Sequence, residues 1–237
     1  MLVLYAGTVF LLQGLTGCSK ENNSADRIGS EAPQKKAGAT RSLAPQGDTR
    51  LVLAFGDSLY AGYGLAPEES FPAQLEQALA ARGFAADVRN AGVSGDTTAA
   101  AQRRLAFTLE GLERKPDLVM VNLGGNDMLR GIDPAETRRN LVAICEELKS
   151  RGIPILLTGM IAASNMGEDY ASRFNAIYRD LATQYEATLY PFFLEGVITD
   201  RAMMLPDRVH PNAKGIDTIA QNVAPLVVSA LQDSAAS

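Results

Sequence analysis

From Leu51 onward, short apolar runs alternate with longer segments whose apolar residues recur every three to four positions. The runs are Leu51–Phe55, Ala85–Arg89, Leu118–Asn122, Ile155–Thr158 and Thr188–Tyr190. The longer segments are Phe71–Arg82, Thr97–Arg114, Pro134–Arg151, Tyr170–Tyr185 and Ala213–Leu231. Near-continuous apolar runs describe strands covered on both faces, and helical segments between them are the crossovers that parallel strands require. The expected fold class is therefore α/β, a three-layer α/β/α sandwich around a five-stranded parallel sheet. One helix start is written out locally: Asp133 can cap, Pro134 suits the first helical position, Glu136 completes a capping-box pattern, and Gly152 ends the segment. Cys145 lies mid-helix beside Ile144 and Leu148, a position that predicts core packing rather than a reactive thiol.

The 237 residues, 46% of them apolar, exclude a wholly disordered or collagen-like chain. Residues 1–18 form an apolar run too short for a bilayer core of about 30 Å, and they read as an export signal. The run ends in Leu15-Thr16-Gly17-Cys18, which resembles the lipobox of bacterial lipoproteins, with Cys18 as the lipidated residue. No Lys or Arg precedes the run, so either the signal begins upstream or it lacks the usual basic flank. Residues 19–50 are rich in Ser, Asn, Ala, Gly, Pro, Lys and Glu without apolar periodicity, which predicts a disordered linker. That linker holds six Lys/Arg and four Asp/Glu, leaving 16 against 23, a net charge of −7, for residues 51–237. An acidic domain has no broad cationic surface for phosphates, so nucleic acid is not an expected partner. With one histidine and two cysteines, a Cys/His zinc site has too few ligands, and no metal is expected.

Ligands of an open parallel sheet bind beyond the carboxyl ends of the strands, where strand order reverses. Polar residues follow the strands at Gly56-Asp57-Ser58-Leu59, at Asn90 to Thr97 and at Gly124-Gly125-Asn126-Asp127, and a further polar stretch, Asp207 to Asn212, precedes the last helix. A serine hydroxyl becomes a competent nucleophile when an imidazole takes its proton and a carboxylate fixes the imidazole tautomer. Ser58, His210 and Asp207 can fill those roles, the Asp-x-x-His spacing letting the carboxylate fold back on Nδ1. The backbone N–H groups of Ser58 and Gly95 and the side-chain amide of Asn126 are candidate donors to an oxyanion. Asp57 and Asp127 are read as orienting loops or capping helices. Each stretch alone has an ordinary structural reading: a turn with a capping serine, a tight glycine turn, or a helix cap. Their joint placement beyond strand ends is what points to catalysis. Neither a G-x-G-x-x-G dinucleotide motif nor a Gly-Lys-Ser/Thr phosphate loop occurs, and the G-x-S-x-G elbow of α/β-hydrolases is missing.

The blocks Phe55-Gly56-Asp57-Ser58-Leu59, Ser94-Gly95-Asp96-Thr97, Gly124-Gly125-Asn126-Asp127 and Asp207 with His210 resemble, in order and spacing, the SGNH (GDSL-type) hydrolases. The likeness spans about Leu51 to Leu231. It is strongest to the bacterial periplasmic multifunctional esterases of the thioesterase I/lysophospholipase/arylesterase type, supported by Leu123 to Gly131 and Tyr190 to Val197. The resemblance implies a flavodoxin-like sheet of order 2-1-3-4-5, with Ser58 as nucleophile, His210 as base, Asp207 orienting it, and Ser58, Gly95 and Asn126 as the oxyanion hole. It also implies a serine esterase acting on small-molecule acyl esters and thioesters, without a cofactor. An apolar groove is expected near Met128, Leu129 and Ile132 and near Met160, Ile161 and Met166, although the same side chains can equally serve as core. The loop Ala163 to Gly167 departs from relatives that carry a proline and an Asn-Tyr-Gly run there. A carbohydrate O-deacetylase or acyltransferase with the same triad is the alternative, and a non-catalytic envelope binding module a more distant one. The expected setting is the periplasm or cell envelope, with a monomeric domain anchored to the membrane through lipid on Cys18.

Overall fold

The computed structural model describes residues 49–233. The expected signal segment 1–18 with its Cys18, residues 19–48 of the expected linker and residues 234–237 lie outside them. The strands are β1 (Arg50–Gly56), β2 (Ala86–Gly92), β3 (Leu118–Asn122), β4 (Ile155–Thr158) and β5 (Thr188–Tyr190). They pair in parallel in the order β2-β1-β3-β4-β5, the order the resemblance implied. Between and after them run α1 (Ser58–Ala61), α2 (Phe71–Ala80), α3 (Thr98–Glu110), α4 (Gly125–Leu129), α5 (Pro134–Ser150), α6 (Glu168–Tyr185) and α7 (Ala213–Asp233).

Burial explains the apolar runs. Leu51 to Phe55 and Leu118 to Val121 are all buried, because both faces of β1 and β3 are covered by helices. α2 packs against α7, and α5 packs between α3 and α6. α7 buries Ile216, Ile219, Ala220, Val223, Ala224, Val227 and Leu231 at the three-and-four spacing of one helix face. Each such Ile, Val or Leu contributes about 1.5–3 kcal/mol through removal from water. Cys145 is fully buried on α5, and burial pushes its thiol up to about 12, so it packs as a small apolar side chain.

Several boundaries differ from expectation for local reasons. β1 starts at Arg50, inside the expected linker, because Arg50 N–H donates to the Ala85 carbonyl and its guanidinium meets Asp117 at 3.3 Å. β2 runs on to Gly92, since backbone pairing with β1 continues to Gly56 and polar side chains are no obstacle on an edge strand. α3 stops at Glu110 rather than Arg114, ending at Gly111. Asp133 does cap α5, accepting from Ala135 N–H at 2.8 Å, but no return bond from Glu136 forms, and Asp133 instead pairs with Arg173 at 3.1 Å. The short helices α1 and α4 have no periodic signature at all, and they carry the site.

α1 sits hard against the end of β2. A Cβ on Gly92 would meet Ala61 Cα at 2.8 Å and collide with the Ala61 backbone nitrogen, so only a glycine lets the two segments approach. From the other side Tyr60 pins α1 to the core: its ring stacks on Phe71 at 4.8 Å, meets Phe193 edge-on at 5.5 Å, and its hydroxyl shares a 2.9 Å hydrogen bond with Thr158 Oγ1.

Candidate active site

Ser58 is the first residue of α1, directly after the turn that ends β1. Asp57 caps this helix, its Oδ1 accepting from Leu59 N–H at 3.0 Å. As a first-turn group, Ser58 N–H has no acceptor within the helix. The other Asp57 oxygen accepts from Asn126 Nδ2 at 3.2 Å, which ties α1 to α4 and uses one N–H of the amide while leaving the second available. Asp57 is buried, and that burial pushes its carboxyl up to about 6 against the lowering pull of the Leu59 and Asn126 donors.

The loop after β2 is held by Arg104 of α3. Its guanidinium donates to Asp96 at 2.6 Å and to the Gly56 carbonyl at 2.9 Å while lying 4.2 Å over the Phe55 ring. Gly95 in that loop has φ 84°, a left-handed backbone that glycine adopts without strain. Asp127 on α4 is fully buried and accepts from Thr98 N–H at 2.8 Å, from Thr98 Oγ1 at 2.5 Å and from Thr137 Oγ1 at 3.2 Å. Both aspartates therefore orient loops and helix ends, as read from sequence.

The fourth stretch, before α7, brings its groups to Ser58. His210 Nε2 lies 2.8 Å from Ser58 Oγ, and His210 Nδ1 lies 2.7 Å from Asp207 Oδ2. The other carboxylate oxygen accepts from Val209 N–H at 2.9 Å and His210 N–H at 3.1 Å. Partial burial works to raise the Asp207 carboxyl but is outweighed by the His210 ring and these two N–H donors, which hold it below its ordinary value. An ionised Asp207 places the Nδ1 proton between itself and the ring, leaving Nε2 as acceptor for the serine hydroxyl. A serine so placed can lose its proton to the imidazole as it attacks an electrophilic carbon.

Ser58, Gly95, Asn126 and His210 all line one cavity of about 510 Å³. Of the residues expected to bind substrate, Met128, Leu129, Met160 and Ile161 line it, whereas Ile132 and Met166 do not. Ile132 follows the turn after α4, where its N–H donates to the Asp127 carbonyl and its own carbonyl accepts from Tyr170, so the chain is committed to α6 there. Met166, in a 3-10 turn over Ser164–Met166, packs on the core. Sequence reasoning missed Tyr63, Phe192, Leu194, Ile198 and Arg208 as cavity walls. The Tyr63 ring lies 4.4 Å from that of His210. The available signal was the proximity of Tyr63 and Arg208 to the motifs themselves. Among the described residues, seven large apolar side chains are exposed, and five of them, Tyr63, Leu129, Ile161, Ile198 and Val209, line this cavity, which marks it as a binding surface.

The raised carboxyl of Asp57 has a measurable effect on stability. The folded chain holds this proton more tightly than the unfolded chain, so the support Asp57 gives is complete below its ordinary value of 3.8 and is lost as pH rises through about 6. A displacement of this size corresponds to about 3 kcal/mol. Urea unfolding of the wild type and Asp57→Asn should show the wild type losing up to about 3 kcal/mol relative to the variant between about pH 4 and about pH 7. A difference that stays constant with pH would show that this carboxyl titrates as an ordinary one.

Comparison with known proteins agrees with this geometry. The model of the GDSL-like lipase/acylhydrolase family matches residues 54–217. Esterase TesA of Pseudomonas aeruginosa is 38% identical over 183 residues, 77% of this chain and 90% of that protein. Thioesterase 1/protease 1/lysophospholipase L1 of Escherichia coli K12 is 36% identical over 184 residues, 76% of this chain and 85% of that one. The crystal structure of AlinE4, an SGNH-hydrolase family esterase, superposes with a TM-score of 0.67 at 51% identity, covering 78% of this chain and 98% of its own. With strand order, site geometry and sequence in agreement, the chain belongs to the GDSL-like lipase/acylhydrolase family.

Proposed function

We propose that this protein is a serine hydrolase of acyl esters and thioesters that works through an acyl-enzyme on Ser58. The observation that carries the reading is the relay from Ser58 Oγ to His210 Nε2 at 2.8 Å and from His210 Nδ1 to Asp207 at 2.7 Å, at the mouth of an apolar cavity. Ser58 Oγ attacks the acyl carbonyl carbon as its proton passes to His210 Nε2. The negative charge on the former carbonyl oxygen is met by the N–H groups of Ser58 and Gly95 and the free N–H of Asn126. His210 then returns the proton to the leaving alcohol or thiol. Water, deprotonated by the same imidazole, releases the carboxylic acid and restores Ser58. The names of the esterase and thioesterase relatives support the substrate class. Walls built from Met128, Leu129, Met160, Ile161 and Phe192 favour acyl chains longer than acetyl, against a sugar deacetylase.

A fluorophosphonate probe should add once to the wild type and not to Ser58→Ala, read by intact mass, and the substitution should lower kcat for an aryl ester about 10⁵-fold or more. A folded wild type that takes no adduct would sink the assignment. The groove is tested separately with Ile161→Trp, which should lower kcat/KM for medium-chain esters about tenfold while sparing acetyl esters. An unchanged chain-length profile would place the acyl chain elsewhere.

We further propose that the protein is exported and held at a membrane by lipid on Cys18, supported by the apolar run and the Leu15-Thr16-Gly17-Cys18 sequence. Cys18→Ala should move the enzyme from the membrane to the soluble fraction and abolish labelling by a radioactive fatty acid. Equal labelling of both forms counts against Cys18.

A further inference from the structure

Beside the active-site cavity lies a second one of about 430 Å³, and Ile198 and Arg208 are walls of both. The second cavity is lined further by Arg201, Leu205 and Pro206, with no acidic side chain among its walls. This is unusual in a domain whose residues 51–237 carry a net charge of −7, a field that repels anions unless positive charge is supplied locally.

Arg208 is also conformationally out of place. Its φ is 58°, in the left-handed region where a side chain is strained and glycine is not. Glu186 shares this conformation, but it closes α6 and its carboxylate pairs with Lys149 at 2.7 Å. The Arg208 backbone N–H donates to the Leu205 carbonyl, yet among the described residues its guanidinium has no hydrogen-bond or ion-pair partner, and neither has that of Arg201. The carboxylates nearest in the chain are engaged: Asp207 on His210, and Asp200 capping the turn at Arg201–Met203 through Ala202 N–H at 2.9 Å. A glycine would hold this turn at no cost, so what arginine adds is an unpaired cation at the junction of the two cavities.

Its place relative to the chemistry says which part of a substrate it meets. On the reading given above, His210 Nε2 hands its proton to the departing alcohol or thiol, so the leaving group lies against the loop that carries His210, and Arg208 is two residues away on that loop. We propose that Arg208, assisted by Arg201, forms a subsite for a phosphate group carried on the leaving alcohol or thiol of the acyl substrate. Guanidinium groups match phosphate oxygens in geometry and charge, and Arg208 at the wall the two cavities share, with Arg201 in the adjoining one, binds the phosphate without disturbing the triad. The reaction itself is unchanged: water and the acyl ester or thioester give the carboxylic acid and the phosphorylated alcohol or thiol.

The full chain is assayed on two matched pairs with one octanoyl chain throughout: octanoyl-glycerol against its 3-phosphate, and octanoyl-pantetheine against its 4′-phosphate. The quantity read is the ratio of kcat/KM for the phosphorylated member to that of the neutral one. In the wild type this ratio exceeds one in at least one pair and falls with added salt. Arg208→Gly, which relieves the backbone and so melts no lower than the wild type, lowers that ratio about tenfold, mainly through KM, while Arg208→Lys retains part of it and Arg201→Ala lowers it less. An effect confined to the glycerol pair identifies a lipid-derived phosphate, and one confined to the pantetheine pair identifies a thioester carrier. A ratio that Arg208→Gly moves by less than twofold in both pairs, with the neutral members still cleaved, overturns the subsite alone. Failure of the wild type to cleave any of the four overturns the hydrolase reading and this one with it.

Discussion

The whole site depends on one backbone register. Gly56 at the end of β1 pairs with Gly92 at the end of β2 and with Asn122 at the end of β3, so three parallel strands finish at the same level. The loops that follow must leave the sheet side by side. Ser58, Gly95 and Asn126 therefore meet, although each comes from a different stretch of sequence. Reversal of strand order about β1 opens the crevice between their exits. His210 arrives by another route, on the loop before α7, which is set by the packing of α7 on α2 and held locally by Leu205 N–H to the His210 carbonyl at 2.8 Å and by the Met204–Pro211 bridge.

Register brings the loops together, but it does not aim their side chains. That is done by two buried carboxylates, each of which joins elements distant in sequence. Asp57 ties the first turn of α1 to the Asn126 amide, and Asp127 ties α4 to the start of α3 and to α5. Burying a carboxylate is costly unless donors surround it, and apolar side chains in these places would make a more stable core. Apolar contacts, however, are non-directional. Hydrogen bonds are directional, and in a dry environment they hold the Asn126 amide in one orientation, as a donor aimed at a developing charge must be held. The raised carboxyl of Asp57 is the visible trace of stability given up for that aim.

The strands were legible because burial on both faces writes itself as apolar runs, and the long helices because one face of each meets the core. The three catalytic candidates and the oxyanion donors were legible for a different reason: their chemistry demands particular residue types at strand ends, and the family likeness joined them. α1 and α4 were not legible, since four or five residues give no period, and each is specified by capping and by a tertiary anchor such as Tyr60 rather than by propensity. The end of β2 was hidden because Asn90, Ala91 and Gly92 read as the start of the polar stretch after the strand, whereas pairing with β1 keeps them extended. Ile132 and Met166 were apolar and near the motifs, and the sequence does not show that a turn closing on Tyr170 and a 3-10 turn against the core direct them elsewhere. Proximity in the chain is a weak guide where backbone turns reverse direction.

The cavity is asymmetric in a way that follows from its parts. On one side Met128, Met160 and Ile161 come from residues after β3 and β4 and offer an apolar wall. On the other, the loop from Asp207 to His210 places the imidazole between a carboxylate and Ser58 and adds an arginine. Tyr63 joins the two, since its half-exposed ring covers one face of His210 at 4.4 Å. Shielding one face of the imidazole from water leaves its two nitrogens fully committed within the ring plane, Nδ1 to Asp207 and Nε2 to Ser58, and strengthens both bonds by lowering the local dielectric.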